Sequence, residues 1–296
     1  MIQAVIDLGT NTFNLLIVEM QAEGYPKVLH RERRGVSLGM GGITKGLLHP
    51  DAMKRGMDCL TDYHAIAHQF EVEKIRAIGT SALRDAENAS EWILEIKQAL
   101  GIQIEIISGL EEARMIFNGV SMSKQLSDSG LIMDIGGGST EFIHYNDGEI
   151  ISETSLNIGL SRMYQLFKVS DPFAQQDIEV LFNFLEAQAE GKLDGIQAKA
   201  LIGASGTFET FYELLHSEMS TDPFEAIQMN MNDFKAMIEQ VIASTLEERS
   251  VNPQITQIRK QMAPFAALKV KWLMEKIHFN EVWVSPCSLK EGALFL

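Results

Sequence analysis

Cysteine is scarce: the 296 residues contain two, Cys59 and Cys287, far apart in sequence and in no metal-type spacing, which fits a reduced, cytoplasmic setting. Positive charge is scarce as well. Lys and Arg number 25 against 40 Asp and Glu, a net charge of −15, and this balance excludes a sequence-independent grip on nucleic acid, which needs a dense cationic surface. An anionic small substrate stays open, because helix N-termini, backbone N–H groups and a bound cation act locally. No uncharged apolar run is long enough to span a bilayer, and no basic segment precedes an apolar stretch at the start, so neither a membrane anchor nor a secretory signal is expected. Also missing are a Walker-type Gly-Lys-Ser/Thr, a zinc pattern and a Gly-x-Ser-x-Gly elbow. The seven histidines are scattered; His64 and His68 share a helix face but have no third ligand nearby.

What the chain does hold is a hydrophobic fraction of 46% with 22% charged residues, normal for a folded protein and enough for two domains with a core each. Its most informative stretch is residues 131–141. An apolar run ending in Asp134 meets Gly136, Gly137, Gly138, Ser139, Thr140 and Glu141, which reads as a buried strand breaking into a phosphate-cradling turn. Three glycines in a row bare backbone N–H groups and permit the positive φ values that would aim several of them at one anion. Asp134 at the strand tip can hold a hydrated divalent cation, with Glu141 as a second carboxylate. The same grammar stands near the N-terminus, where an apolar run leads to Asp7, Leu8, Gly9, Thr10, Asn11 and Thr12 before a second apolar run. Two strand-Asp-turn-strand units predict two similar half-molecules facing one cleft, residues 1–123 and 124–296.

Between these units the chain alternates strands and helices. After a third extended segment (27–33) and a glycine-rich loop, a helix is expected over 50–70 and a strand over 74–79, with Arg84 leaving the strand's carboxyl end, where ligands bind in open α/β sheets. Asn88 or Ser90 caps a helix to residue 100, and a strand covers 102–107. The next helix opens on Ser108, with Glu111 three residues on as its capping-box partner. Glu112 instead shares a face with Met115, Ile116, Gly119 and Val120, and a carboxylate on an apolar stripe is a catalytic candidate. Helices are expected over 159–167, 175–190 and 232–245, and over 258–276 with an interruption at Pro264. A strand at 199–202 runs into Gly203-Ala204-Ser205-Gly206-Thr207, a third phosphate-competent turn. A strand at 281–284 and a last short helix from Ser288, with Glu291 completing a capping box, end the series.

Five ordered motifs together resemble the exopolyphosphatase and guanosine-pentaphosphate phosphohydrolase family, within the actin, sugar-kinase and heat-shock-chaperone ATPase fold: Ile6-Asp7-Leu8-Gly9-Thr10-Asn11, Gly79-Thr80-Ser81-Ala82-Leu83-Arg84, the stretch from Ile106 to Arg114, the stretch from Asp134 to Glu141, and Gly203-Ala204-Ser205-Gly206-Thr207. The resemblance implies an α/β protein of two ribonuclease-H-like domains with the active site between them, the last helix packing back on the first domain. It also implies a short member of the family, without the all-helical domain that longer members add. By position Glu112 matches the family's water-activating glutamate, Glu141 its metal-associated glutamate, Asp7 and Asp134 the cleft aspartates, and Arg84 a phosphate-binding arginine. This chain has Lys290-Glu291-Gly292 where the family pattern resembles Arg-Glu-Gly, Ala266 where glycine is frequent, and Ser37 where arginine is frequent.

The expected mechanism is metal-assisted hydrolysis of a terminal phosphoanhydride. Mg²⁺, or Mn²⁺, is held by Asp7, Asp134 and Glu141, mostly through waters. The phosphate contacts come from residues 136–140, from Thr10 and Asn11, and from Gly206 and Thr207, with Arg84 stabilising charge and Glu112 activating water. Inorganic polyphosphate or guanosine pentaphosphate is the expected substrate, and a homodimer is expected by analogy with relatives of the fold. Two other classes share these features: an ATP-dependent phosphotransferase, and a non-enzymatic nucleotide or polyphosphate sensor.

Overall fold

The structure, a computed structural model, describes residues 1–216, 222–255 and 259–295. The chain builds β1 (Ile2–Leu8), β2 (Thr12–Glu19), β3 (Lys27–Gly35), α1 (Pro50–Gln69), β4 (Lys74–Gly79), α2 (Ser81–Arg84), α3 (Ala89–Leu100), β5 (Ile104–Ile106) and α4 (Gly109–Val120). It continues with β6 (Ser129–Ile135), β7 (Thr140–Asn146), β8 (Glu149–Leu156), α5 (Leu160–Leu166), α6 (Gln175–Ala189), β9 (Ala200–Ala204), α7 (Ser205–Leu215), β10 (Ile227–Met229), α8 (Met231–Ala243), α9 (Leu246–Val251), α10 (Ala263–Lys276), β11 (Glu281–Val284) and α11 (Leu289–Gly292). The strands form two sheets, ordered β3-β2-β1-β4-β5 and β10-β11-β9-β6-β7-β8. Read from its other end, the second repeats the first: β1 and β6 each pair antiparallel with the next strand and parallel with the strand that follows a helical crossover.

Register explains which side chains reach the cleft. Antiparallel pairing sets Asp7 opposite Asn14 and Asn14 opposite Arg33, so the three form one row across β1, β2 and β3. The equivalent row in the second sheet is Asp134, Glu141 and Ser155. Each aspartate sits one residue before its strand ends, at the lip of a turn.

Two core clusters fill the individual halves, and a third lies between the sheets. That central cluster joins Val5, Leu16 and Ile78 of the first sheet to Ile132, Ile143 and Ile202 of the second, with Ala113 and Ile116 of α4 and Leu289 of α11 between them. The packing is crossed: α4 lies against β7 and β8, whereas α11 lies against β1 and β2 and against α4 itself.

Several elements differ from expectation. The strand expected over 102–107 is reduced to Ile104–Ile106. Pro264 does not interrupt a helix but sits in the first turn of α10, where its missing N–H costs nothing; of the expected helix, residue 258 lies outside the described residues. The short β10 and α9 were not foreseen. Asn88 occupies the N-cap position of α3, yet its side chain bonds both backbone groups of Leu48 instead. Among the described residues no helix is long and apolar enough to cross a membrane.

Candidate active site

The two rows and α4 converge on one cavity of about 120 Å³ between the sheets. Its walls carry the buried Glu112, Asp134 and Glu141 and the half-buried Asp7, four of the expected site carboxylates brought onto one cavity. Asn14 Nδ2 donates to Asp7 Oδ2 at 2.9 Å. Both oxygens of Asp134 accept hydroxyls, from Ser205 at 2.6 Å and Ser288 at 2.8 Å. Ser155 Oγ donates to Glu141 Oε1 at 2.7 Å. Glu112 Oε2 accepts from Arg84 Nη1 at 3.0 Å, and the same nitrogen donates to the Ile107 carbonyl at 2.9 Å. Arg84 thus holds Glu112, while its Nε also lies 3.9 Å from Asp85 Oδ1.

Burial pushes every one of these carboxyls up. Asp7 rises to about 6, with its bond from Asn14 opposing. Glu141 rises to about 7, burial being reinforced by the Asp134 charge. Glu112 is pushed well up, chiefly by burial and then by Glu141, with Arg84 pulling the other way. Asp134 also rises through burial, against its two hydroxyl donors. Such a cluster of desolvated carboxylates favours a cation.

The glycine turn works differently from expectation. None of Gly136, Gly137 or Gly138 has a positive φ; they are glycines because other groups come close. A Cβ on Gly137 would stand 2.7 Å from Asn11 and 2.8 Å from Thr10, and one on Gly138 would lie 2.8 Å from the Thr10 hydroxyl. The two aspartate turns thus touch across the cleft. The Gly136, Gly137 and Gly138 carbonyls accept from the N–H groups of Leu160, Ser161 and Gly159 at 3.0, 2.8 and 3.1 Å, at the start of α5. Among the described residues none accepts from the N–H groups of Gly136, Gly137, Gly138 or Ser139, and the buried Thr10 hydroxyl has no partner. Unpaired donors on residues that line a small polar cavity are what an anion requires.

Two expected phosphate contacts, Thr140 and the Thr207 hydroxyl, need correcting. Thr140 lies on the opposite face of β7 from Glu141, because side chains alternate along a strand, and it meets the core, where Lys269 Nζ donates to its hydroxyl at 3.1 Å. Thr207 lines the cavity, but its hydroxyl is committed to the Ile135 carbonyl at 3.1 Å. At the third turn the left-handed residue is Ser205 (φ 63°), not Gly206; Gly206 leaves room for the guanidiniums of Arg259 and Arg33. Asn11 does reach the cleft, where it accepts from Ser161 of the opposite half.

Sequence reasoning missed two cations of the cavity wall, Arg33 and Arg259, and noted Lys290 only as a departure from the Arg-Glu-Gly pattern without placing it at the site. For Arg33 a signal existed: pairing the first three strands outward from the aspartate turn sets it in the row of Asp7. It also missed Lys269, fully buried behind the turn, whose ammonium burial pushes down to about 7 while Glu141 draws it up.

Among the described residues no three carboxylate, histidine or cysteine side chains converge tightly enough to coordinate one ion by themselves. Asp7, Asp134 and Glu141 offer only oxygen donors around a shared cavity. This set fits Mg²⁺, which keeps several waters and takes the rest of its shell from one or two carboxylates and substrate phosphate.

The model of the Ppx/GppA phosphatase family matches residues 16–296. The guanosine-5'-triphosphate,3'-diphosphate pyrophosphatase of Photobacterium profundum is 34% identical over 297 residues, 99% of this chain and 58% of that protein. The protein of the same name from Vibrio cholerae is 30% identical over 300 residues, with the same coverage. The chain thus spans 58% of the length of these curated relatives. Among solved structures, an exopolyphosphatase from Cytophaga hutchinsonii superposes with a TM-score of 0.94 at 35% identity, covering 100% of this chain and 97% of that one. The Aquifex aeolicus member of the Ppx/GppA family does so with 0.82 at 26% identity, covering 99% and 96%. The two-sheet α/β architecture is the actin-like fold expected from the sequence, and with the family model running almost the full length, this chain belongs to the Ppx/GppA phosphatase family.

Proposed function

We propose that this protein is an exopolyphosphatase, hydrolysing the terminal phosphoanhydride of inorganic polyphosphate and releasing orthophosphate. The observation that carries the reading is the pairing of unsatisfied donors, the N–H groups of residues 136–139 and the Thr10 hydroxyl, with a buried carboxylate, Glu112, on the same cavity. The donors hold the oxygens of a terminal phosphoryl group and stabilise the charge that shifts onto them. Glu112 orients a water and takes its proton as the new P–O bond forms and the bridging P–O bond breaks, leaving the shortened chain as the departing group. Arg84 fixes the Glu112 carboxylate and opposes its protonation. Asp7, Asp134 and Glu141 would hold hydrated Mg²⁺ or Mn²⁺, which neutralises phosphate charge when bound. The halves, residues 1–123 and 124–296, close on the substrate with α4 carried by the second sheet and α11 by the first, and the two buried cysteines suit a reducing cytoplasm.

A cavity of about 120 Å³ favours phosphoryl groups over a nucleoside, since pockets enclosing drug-sized ligands begin at roughly 300 Å³. Guanosine pentaphosphate is the second reading, favoured by the names of the curated relatives. The deciding experiment measures phosphate release from polyphosphate, guanosine pentaphosphate and ATP in parallel, with and without Mg²⁺. Mg²⁺-dependent release, fastest from polyphosphate, is expected. Transfer from ATP to an acceptor would make it a phosphotransferase, and tight binding without turnover a sensor.

A further inference from the structure

At the edge of the cavity three cations surround one carboxylate. Arg33 reaches from β3 to α7, where its Nη2 donates to Glu209 Oε2, while its Nε donates to Asn14 Oδ1 at 3.3 Å. Arg259 donates to the hydroxyl of Thr210, the residue after Glu209. Both guanidiniums close over Gly206, where a side chain would overlap Arg259 and stand 2.9 Å from Arg33 Nη1. Lys290, on the same cavity wall, pairs directly with Glu291 Oε1 at 3.2 Å and acts on Glu209, Asp7 and Asp134 electrostatically from further away. Burial pushes the Glu209 carboxyl up, but Arg33, Lys290 and Arg259 together hold it below the usual range. Burial and the charge of Arg33 push the Arg259 guanidinium down to about 10. Glu213, another carboxylate near the two guanidiniums, is pushed up by burial and by Glu209.

A polyanion that places its terminal phosphoryl in the turn of residues 136–139 must run its remaining phosphates outward. Three cations on the wall of that cavity, Lys290, Arg33 and Arg259, are placed to meet them, and Arg33 is already paired with a side-chain anion, Glu209. We propose that Glu209 is a built-in competitor for the substrate: its carboxylate stands among Arg33, Arg259 and Lys290 in the place of phosphates on the retained side of the scissile bond, and an entering polyanion displaces it. The inference rests on the hydrolase reading and goes beyond it, because it names what sets the grip on the chain. Displacement lowers affinity and hastens release of the shortened chain, since the carboxylate returns as the phosphates leave.

The test is direct binding of polyphosphate of defined length in the Glu112→Gln protein, where the probe is not consumed. Adding Glu209→Gln, which keeps the shape and removes the charge, should tighten binding about fivefold or more at low salt, with the gain shrinking as salt rises. Arg33→Gln should cost more affinity in the Glu209→Gln protein than in its parent, because Arg33 is no longer neutralised there; a purely structural ion pair gives no such dependence. Unchanged or weaker binding on Glu209→Gln, or an equal cost of Arg33→Gln in both proteins, overturns the proposal while leaving hydrolysis by the wild type untouched. A wild type that neither binds nor hydrolyses polyphosphate or guanosine pentaphosphate removes the hydrolase reading, and this one with it.

Discussion

Glu111 and Glu112 are neighbours in α4 with opposite surroundings. Glu111 is exposed and completes a capping box, accepting from the Ser108 N–H at 2.7 Å, whereas Glu112 is 7% exposed and bonded to Arg84. Glu112→Gln should lower turnover at least about 10²-fold with little loss of substrate binding, because it removes the base and keeps the shape. Glu111→Gln should stay near wild type in a steady-state assay, since glutamine still serves the cap; the reverse ranking would reassign the base. This difference was legible in the sequence because a cap and an apolar stripe are both local signals. Lys269 was not legible: its partner Thr140 lies 129 residues away, and in sequence it is one lysine in a helix. Replacing it by Met removes a desolvated amine and should raise thermal stability near neutral pH. The same change removes the cation that favours ionised Glu141, so the acid limb of the pH–activity profile should move to higher pH. A profile that stays in place would show that Lys269 and Glu141 are not coupled.

The element that fixes the geometry is the contact of α4 with α11. A Cβ on Gly119 would overlap the Ser288 carbonyl and lie 3.0 Å from the Gly292 nitrogen, so the helices meet backbone to backbone. Gly119→Ala gains helix propensity but overfills this contact, and a net loss of about 1–3 kcal/mol in urea unfolding is expected. Stability equal to wild type would mean that the contact has slack. The last strands and helices also mark where sequence reading stops. Strand alternation and glycine turns placed β1, β2, β6 and β7, and through them Asp7, Asp134 and Glu141. The three-residue β10 carries too short a pattern to announce itself, and it exists because the edge of β11 is there to pair with. The glycines of the turn had been assigned to positive φ, a local property, when Gly137 and Gly138 are required by Thr10, Asn11 and Ser81 arriving from the other half.

For the molecule as a whole, the buried ionisable groups give a characteristic pH dependence. Asp7 and Glu141, ordinarily near 3.8 and 4.5, rise to about 6 and about 7 in the folded protein. Between pH 4 and 7 the folded state therefore holds protons that the unfolded chain has lost, and stability falls as pH rises. Lys269 falls from 10.5 to about 7, so above pH 7 it is the unfolded chain that holds the extra proton, and stability rises again. Metal-free protein should accordingly melt lowest near pH 7, and Mg²⁺, which favours the ionised carboxylates, should fill in that minimum. Thermal melts at pH 5, 7 and 9 in chelator and in Mg²⁺ test this; a monotonic metal-free curve would contradict it.

On the hydrolase reading, the crossed packing of α4 also ties the state of the proposed base to the separation of the two sheets. Glu112 rides on a helix seated against the second sheet, while Arg84 follows the end of β4 in the first. If the sheets part, Glu112 stays buried beside Glu141 but loses the guanidinium that favours its charge, and it takes up a proton. Arg84→Met should mimic that separated state, with activity returning only at higher pH; an unshifted profile would break the link. On the hydrolase reading, closure would work as an interlock: the movement that seals the substrate in would also arm the base, so that an idle, gaping cleft would spend no phosphoanhydride on stray water.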